Sequence, residues 1–272
     1  MENSWVLVDL GYMSFLRYHA TKIWFKWQPE KDQENPWQNE EVFRNTLLRV
    51  YERTLKKLTK KKKAILAMES LDGGNWRKEI YSEYKGTRPK NYDIFEYLKF
   101  LANDWLPKFC EKNENCIYYK IPNTEADDII ALKAHELLLK DPVPEISIIT
   151  ADHDFIQLVE KDNNIRIYND KYKLNKKCEE DLVGFAYLKR KIVYGDNSDN
   201  IKSIYSGKGC TLKKEALLEK LKNMDDLDLV TQEIVGSSKE YNNFKMNREL
   251  IDFKKIPMKT RLAFEEYSRN LC

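Results

Sequence analysis

The sequence predicts an α/β protein with a mostly parallel central sheet flanked by helices, and two observations predict it. Short β-branched apolar runs of strand length alternate with longer stretches in which apolar residues recur at helical spacing. Acids also follow each of the first four runs. Ligands of open α/β sheets sit outside the carboxyl ends of the strands. This placement would therefore gather Asp9, Glu69, Glu125, Asp127, Asp128, Asp152 and Asp154 in one crevice.

Composition narrows the class. At 272 residues and 42% apolar, the chain can hold one large domain, or one with a smaller appendage, around an ample core. Its 47 basic and 44 acidic residues leave a net charge of +3, which excludes a uniformly basic nucleic-acid binder. Cys110, Cys116, Cys178, Cys210 and Cys272 are widely spaced with no CxxC, so neither a disulfide framework nor a zinc site is expected, and a reduced intracellular compartment fits. The N-terminus has no basic leader, and no apolar run approaches the ~20 residues of a membrane span, so a soluble protein is expected.

Taken in order, Trp5 to Leu10 reads as a first buried strand containing Asp9. A charge there is costly unless paired or metal-bound. Residues 24 to 38 mix three tryptophans with prolines and charges and read as a long loop, with Trp24, Trp27 and Trp37 packed onto the body. Val42 to Leu58 is helical in pattern and closes on the run Lys60 to Lys63. Ala64 to Met68 is a second strand, ending at Glu69. In the stretch Asn75 to Tyr92, Arg77, Lys78, Lys85, Arg88 and Lys90 alternate with Trp76, Tyr81, Tyr84 and Tyr92, a pattern suited to a single-stranded backbone and its bases. Ile94 to Phe109 reads as a helix and Cys116 to Ile121 as a third strand.

The stretch from Ile121 to Val159 concentrates the chemistry. Ala126 to Leu139 is helical, with Thr124 and Asp127 in a capping-box pattern, so Glu125, Asp127 and Asp128 cluster at a helix N-terminus. Ile146 to Ile149 is a buried strand, with Asp152 and Asp154 at its carboxyl end. Capping and turn formation would account for either group alone. Together they demand more, because two carboxylates about 5 Å apart repel by roughly 3 kcal/mol at an effective dielectric near 20. Such a cluster needs cations. Ile165 to Tyr168 reads as a short fifth strand; Asp181 to Tyr194 is helical, and Asp196 and Asp199 follow three residues apart. From Ser203 the pattern is helix, glycine turn, helix, and the remainder to Cys272 is helical.

Four motifs now stand in order: VDL at Asp9; MESLDGGNWRKEIYSEYKGTR from Met68 to Arg88; EADDIIA with ITADHDFIQL; and YGDNSDNI from Tyr194. Over roughly Trp5 to Leu221 they resemble the 5′-nuclease superfamily of flap endonucleases and viral 5′ to 3′ exonucleases, closest in style to the bacteriophage RNase H and exonuclease enzymes. The resemblance implies a catalytic core over residues 1–180 with a helical arch at about 70–100, and a helical region over 181–272 with a duplex-binding helix-turn-helix. It implies two magnesium ions, replaceable by manganese, with Asp9, Glu69, Glu125, Asp127 and Asp152 around the first. Asp128, Asp154, Asp196 and Asp199 would lie nearer the second. The family usually has Asp where Glu69 stands, and Asp72 is the alternative ligand. Lys85 and Arg88 match the basic residues of the arch, and Arg77, Lys78, Tyr81 and Tyr84 of the same basic, aromatic stretch are expected to bind nucleic acid with them. Gly207, Lys208 and Gly209 match the duplex-binding turn, where the family often holds potassium.

The implied activity is hydrolysis of DNA at a 5′ end or flap, or of an RNA/DNA hybrid, by a monomer working in primer removal. Hard divalent ions prefer carboxylate oxygens, and two ions together activate water and stabilise the leaving oxygen. A haloacid-type phosphatase would need an acid where Gly11 stands. A PIN-type ribonuclease shares the acid crevice without the arch and the GDNSDNI segment. A noncatalytic binding module would lose some of the acids, and here each position is filled.

Overall fold

The computed structural model describes residues 3–28, 30–71, 74–88, 91–140 and 142–271. Asp72, Lys90 and Cys272 lie outside them. The apolar runs become β1 (Ser4–Asp9), β2 (Lys63–Met68), β3 (Cys116–Lys120), β4 (Glu145–Ile149) and β5 (Ile165–Tyr168). They pair in the order β3-β2-β1-β4-β5, every neighbour parallel. The order reverses between β1 and β4, so the chain leaves these neighbouring strands in opposite directions and a crevice opens outside their carboxyl ends.

The helices are α1 (Leu10–Phe25), α2 (Pro36–Asn39), α3 (Glu41–Thr59), α4 (Trp76–Ile80), α5 (Tyr92–Phe100) and α6 (Leu106–Glu111). They continue with α7 (Ala126–Leu138), α8 (Gly184–Tyr194), α9 (Cys210–Leu221), α10 (Gln232–Val235), α11 (Ser238–Ile251) and α12 (Met258–Asn270). Alternation along the strands sorts the core into two layers. Val6 and Val8 pack with α1, α3 and α5, whereas Trp5 and Leu7 pack with α7 and α12.

Several expectations need correction. The helix α1 was not anticipated: its buried face includes Ser14 and Thr21, which break the apolar rhythm. Of the three tryptophans only Trp37 packs inward, fixed by Asp93, which accepts from the Trp37 and Gln38 N–H groups at 3.1 Å each. Trp24 and Trp27 stand at the outward end of α1, and Trp27 is 81% exposed. The helix expected over Ile94 to Phe109 carries a π-helical turn at Leu101–Trp105, because Pro107 has no N–H to give the Asn103 carbonyl. The capping box lies one residue later than read, with Asp128 accepting from the Glu125 N–H at 3.2 Å.

The expected helical arch is compact among the described residues: α4, a run of turns over residues 82–88, then α5. Tyr84, 2% exposed, is packed into the apolar cluster of α8, α9 and α11. Residues 203–209 are not helical, so the helix before the glycine turn is α8. The region 181–272 also divides its contacts: α8, α9 and α11 form their own cluster, whereas Phe264 of α12 stacks on Tyr119 of β3 at 5.6 Å.

Arg77 holds these parts together. Its guanidinium donates to both oxygens of Asp128 (2.8 and 3.1 Å), to Glu125 (2.8 Å) and to the Leu250 carbonyl of α11 (2.8 Å). Removing one partner of a buried pair strands the other charge. Arg77→Ala should therefore lower unfolding free energy by about 3–5 kcal/mol in urea titration, and a loss below about 1 kcal/mol would show the pair to be dispensable.

Candidate active site

The crevice at the β1/β4 switch is built by backbone and side chain together. Asp9 ends β1 and caps α1: one oxygen accepts from the Tyr12 N–H at 2.9 Å and the other from the Thr150 hydroxyl at 2.8 Å. Thr150 Oγ1 in turn accepts from the Asp152 N–H at 3.0 Å, and Asp152 Oδ1 accepts from the Asp154 N–H at 2.8 Å. The ends of two adjacent strands are thus laced through one threonine. Asp9, Glu69, Glu125, Asp127 and Asp152 line a cleft of about 480 Å³ with Lys85 and Arg88, opposite a wall of Tyr12, Phe15, Leu16 and His19 from α1.

Burial pushes Asp9 up to about 6, and the neighbouring charges of Asp152 and Glu69 add to the rise. Asp127 is raised well above the ordinary carboxylate range, first by burial and then by Asp152 and Asp9. Glu69 is raised by burial. Among the described residues, the ion pairs at this end of the sheet go to Glu125, Asp128, Asp154, Asp170, Asp196 and Asp199, and none goes to Asp9, Glu69, Asp127 or Asp152. Four carboxylates, three of them costly to ionise and none engaged in an ion pair among the described residues, form a set of hard oxygen donors that a divalent ion fits.

Glu125 differs. Burial acts to raise it, but Lys85 and Arg77 outweigh burial and hold it below the ordinary range. Its oxygens accept from Arg77 at 2.8 Å, from the Tyr84 hydroxyl at 3.1 Å and from the Lys85 ammonium. Lys85 has φ of 54°, a left-handed backbone that costs a non-glycine residue energy, and its N–H donates to the Asp199 carbonyl at 3.0 Å. Arg88 reaches Asp199 Oδ1 at 2.8 Å.

Asp128 corrects an expectation. It faces away from the cleft, fully buried, with its oxygens engaged by Arg77 and by the Trp76 indole at 3.0 Å. Arg77 and Tyr84, expected to meet nucleic acid, are buried in the same network. Lys78 is exposed, and Tyr81 is half-buried with its hydroxyl on Glu83 at 3.1 Å.

Asp154, Asp196 and Asp199 form a second group, with one oxygen of each lying within 4.8 Å of the others. The second group meets the first at Asp152, which also lines an adjoining cleft of about 640 Å³. Gly195 makes its loop possible: φ is 73°, and a Cβ there would stand 2.5 Å from the Ile201 carbonyl oxygen. The chain then closes through paired Asp196 and Ile201 backbones (2.8 and 2.7 Å) around a 3-10 turn. Gly207, Lys208 and Gly209 are exposed, with both glycines left-handed, at the start of α9.

Sequence reasoning missed Thr150, the α1 wall and Lys191. Thr150 stands inside a motif already singled out. Lys191 lies five residues before Asp196, and its ammonium contacts Asp154 and reaches Asp196 Oδ2 at 2.8 Å.

Residues 4–188 match the family model for the 5′-3′ exonuclease, N-terminal resolvase-like domain. Ribonuclease H of Enterobacteria phage T4 is 26% identical over 214 residues, 72% of this chain and 66% of that protein. DNA polymerase I of Lactococcus lactis is 28% identical over 187 residues, 64% of this chain and 20% of that protein. The chain therefore spans less than two thirds of either relative. A bacteriophage T5 flap endonuclease, solved as a pseudo-enzyme-product complex with DNA and metal ions, superposes with a TM-score of 0.59 at 16% identity, covering 98% of this chain and 97% of that one. The T5 5′-exonuclease with bound zinc gives 0.56 at 16% identity, over 98% of both chains. These likenesses establish the shared fold. With its family model matched over residues 4–188, the chain belongs to the 5′-3′ exonuclease family through the N-terminal resolvase-like domain.

Proposed function

We propose that the chain is a divalent-metal-dependent, structure-specific nuclease that hydrolyses phosphodiester bonds at the 5′ ends and 5′ flaps of DNA, with magnesium, or manganese in its place, as its ion. Family membership supports the reaction class. The observation that carries the metal dependence is the set Asp9, Glu69, Asp127 and Asp152, which line one cleft at the strand switch and have no ion pair among the described residues. A noncatalytic module has no use for carboxylates held at that cost.

In this reading Asp9, Glu69, Asp127 and Asp152 hold the first ion, with Glu125 beside them, and Asp154, Asp196 and Asp199 hold a second. Two such ions, when bound, supply Lewis acidity to water and to the leaving oxygen. Lys85 directs its ammonium toward the phosphate that enters the cleft, held in register by its backbone bond to Asp199. Arg88 supports it from the rim. Phe15 and His19 form the opposite wall, against which a terminal base can stack. Gly207, Lys208, Gly209 and the first amides of α9 receive duplex phosphate, with room for a potassium ion. Trimming of RNA or DNA primers by a monomer, alone or beside replication proteins, is the proposed setting.

Asp127→Asn should abolish cleavage of a 5′-labelled flap in magnesium while flap affinity, measured with calcium, stays close to the original. Cleavage near the original rate would remove Asp127 from the site. Lys85→Ala should lower the single-turnover rate by roughly a hundredfold and weaken binding far less. Equal losses would make it a plain phosphate anchor.

The acids also set a pH dependence. Asp9 is raised from 3.8 to about 6, so its protonated form is favoured in the fold. Its contribution to metal-free stability is present below about pH 4 and lost as pH rises through about 6. Ions compete with those protons. The magnesium-induced rise in Tm should therefore be larger at about pH 8 than at about pH 5, and an equal rise at both would place the ion elsewhere.

A further inference from the structure

The two acid groups are neutralised differently. Asp9, Glu69, Asp127 and Asp152 have no ion pair among the described residues, whereas each acid of the second group has one. Arg88 holds Asp199 from the rim at 2.8 Å. Lys191 contacts Asp154 and lies 2.8 Å from Asp196, and its side chain is only 11% exposed.

Lys191 is built into this position. It occupies the last turn of α8, where the free carbonyls favour a cation. Asp196 follows the glycine that ends that helix, and Asp154 opens the turn after β4, so three elements converge on one ammonium. Burial acts to raise Asp196, yet Lys191 outweighs it and the Ser198 bonds assist, leaving the acid below its ordinary range. Two of the three carboxylates that each bring an oxygen within 4.8 Å of the others are those Lys191 engages, the same acids a divalent ion would need. An ammonium and a dication within about 4 Å of each other repel strongly, so the two cannot share the acids.

A route of withdrawal is open. The adjoining cleft is lined by Lys191 itself together with Lys177 and Arg190, and its volume of about 640 Å³ admits a phosphodiester group. A lysine carries its charge on a flexible four-carbon stem and can exchange one anionic partner for another.

We propose that Lys191 is the resident counter-cation of the second acid group, so that a second divalent ion loads there only when a substrate phosphate draws the ammonium away. This rests on the two-group reading of the site given above. The first ion then binds the free protein, and the second arrives with DNA. Metal occupancy reports substrate engagement.

The test is calorimetric titration of calcium into the whole protein, with and without a 5′-flap DNA, for the original chain, Lys191→Met and Lys191→Arg. The original chain should bind one ion and take the second at least about tenfold more weakly, and Lys191→Met should tighten that second step by at least about tenfold. Lys191→Arg, which keeps the charge, should resemble the original. Flap DNA should tighten the second step in the original chain and add clearly less in Lys191→Met. An unchanged second step in Lys191→Met overturns the proposal while leaving two sites intact. A single ion in every protein, with or without DNA, overturns it together with the two-ion reading. Should Lys191→Met lose its cooperative thermal transition, Lys191→Gln, which can still donate to Asp154 and Asp196, takes its place under the same criteria.

Discussion

Carboxylates forced together at the end of a buried sheet repel one another, and the architecture of this chain is arranged around that repulsion. The parallel order β3-β2-β1-β4-β5 brings the ends of β1 and β4 side by side, so Asp9 and Asp152 meet whatever their preference. Hydrogen bonds from Tyr12 and Thr150 hold Asp9 in place without neutralising it. The protein spends its cations elsewhere, on Glu125, Asp128 and the second acid group. The result is a cleft whose negative charge is left for something from outside.

How that division is made is visible in the block Glu125, Asp127, Asp128. Successive helical residues point about 100° apart, so adjacent aspartates in the first turn of α7 cannot serve one site. Asp127 takes the cleft. Asp128 turns inward to Arg77 and Trp76 and locks the preceding stretch onto the helix. One acid lines the cleft and the next ties down the framework that positions it.

Much of this was legible beforehand, and the failures have physical causes. Ile165 to Tyr168 folds as read, because a short β-branched run between polar turns leaves little choice. Of the seven acids expected in one crevice, Asp9, Glu69, Glu125, Asp127 and Asp152 line it, whereas Asp128 turns to Arg77 and Asp154 lines the adjoining cleft. The helix α1 was hidden because two positions on its buried face are hydroxyl residues, and Ser14 is accommodated by a bond to the Tyr51 hydroxyl at 3.0 Å. The role of Asp128 was hidden because its partner lies 51 residues away in sequence. Spacing within a motif shows which residues share a turn, but a distant guanidinium decides which way each one faces.

The position of Arg77 has a mechanical consequence. One rigid, planar group bonds at once to two acids at the start of α7 and to the Leu250 carbonyl near the end of α11. Since α11 packs against α8, and α8 against α9, this guanidinium is one of the ties that fasten those helices to the frame of the cleft, beside Tyr84, which bonds both Glu125 and Asp199. A lateral shift of α11 must either carry α4 with it or break the bond between the guanidinium and the Leu250 carbonyl. Under the proposed function, grip and blade are therefore mechanically coupled, and leverage applied to the helices by a bent duplex would be felt at the cleft.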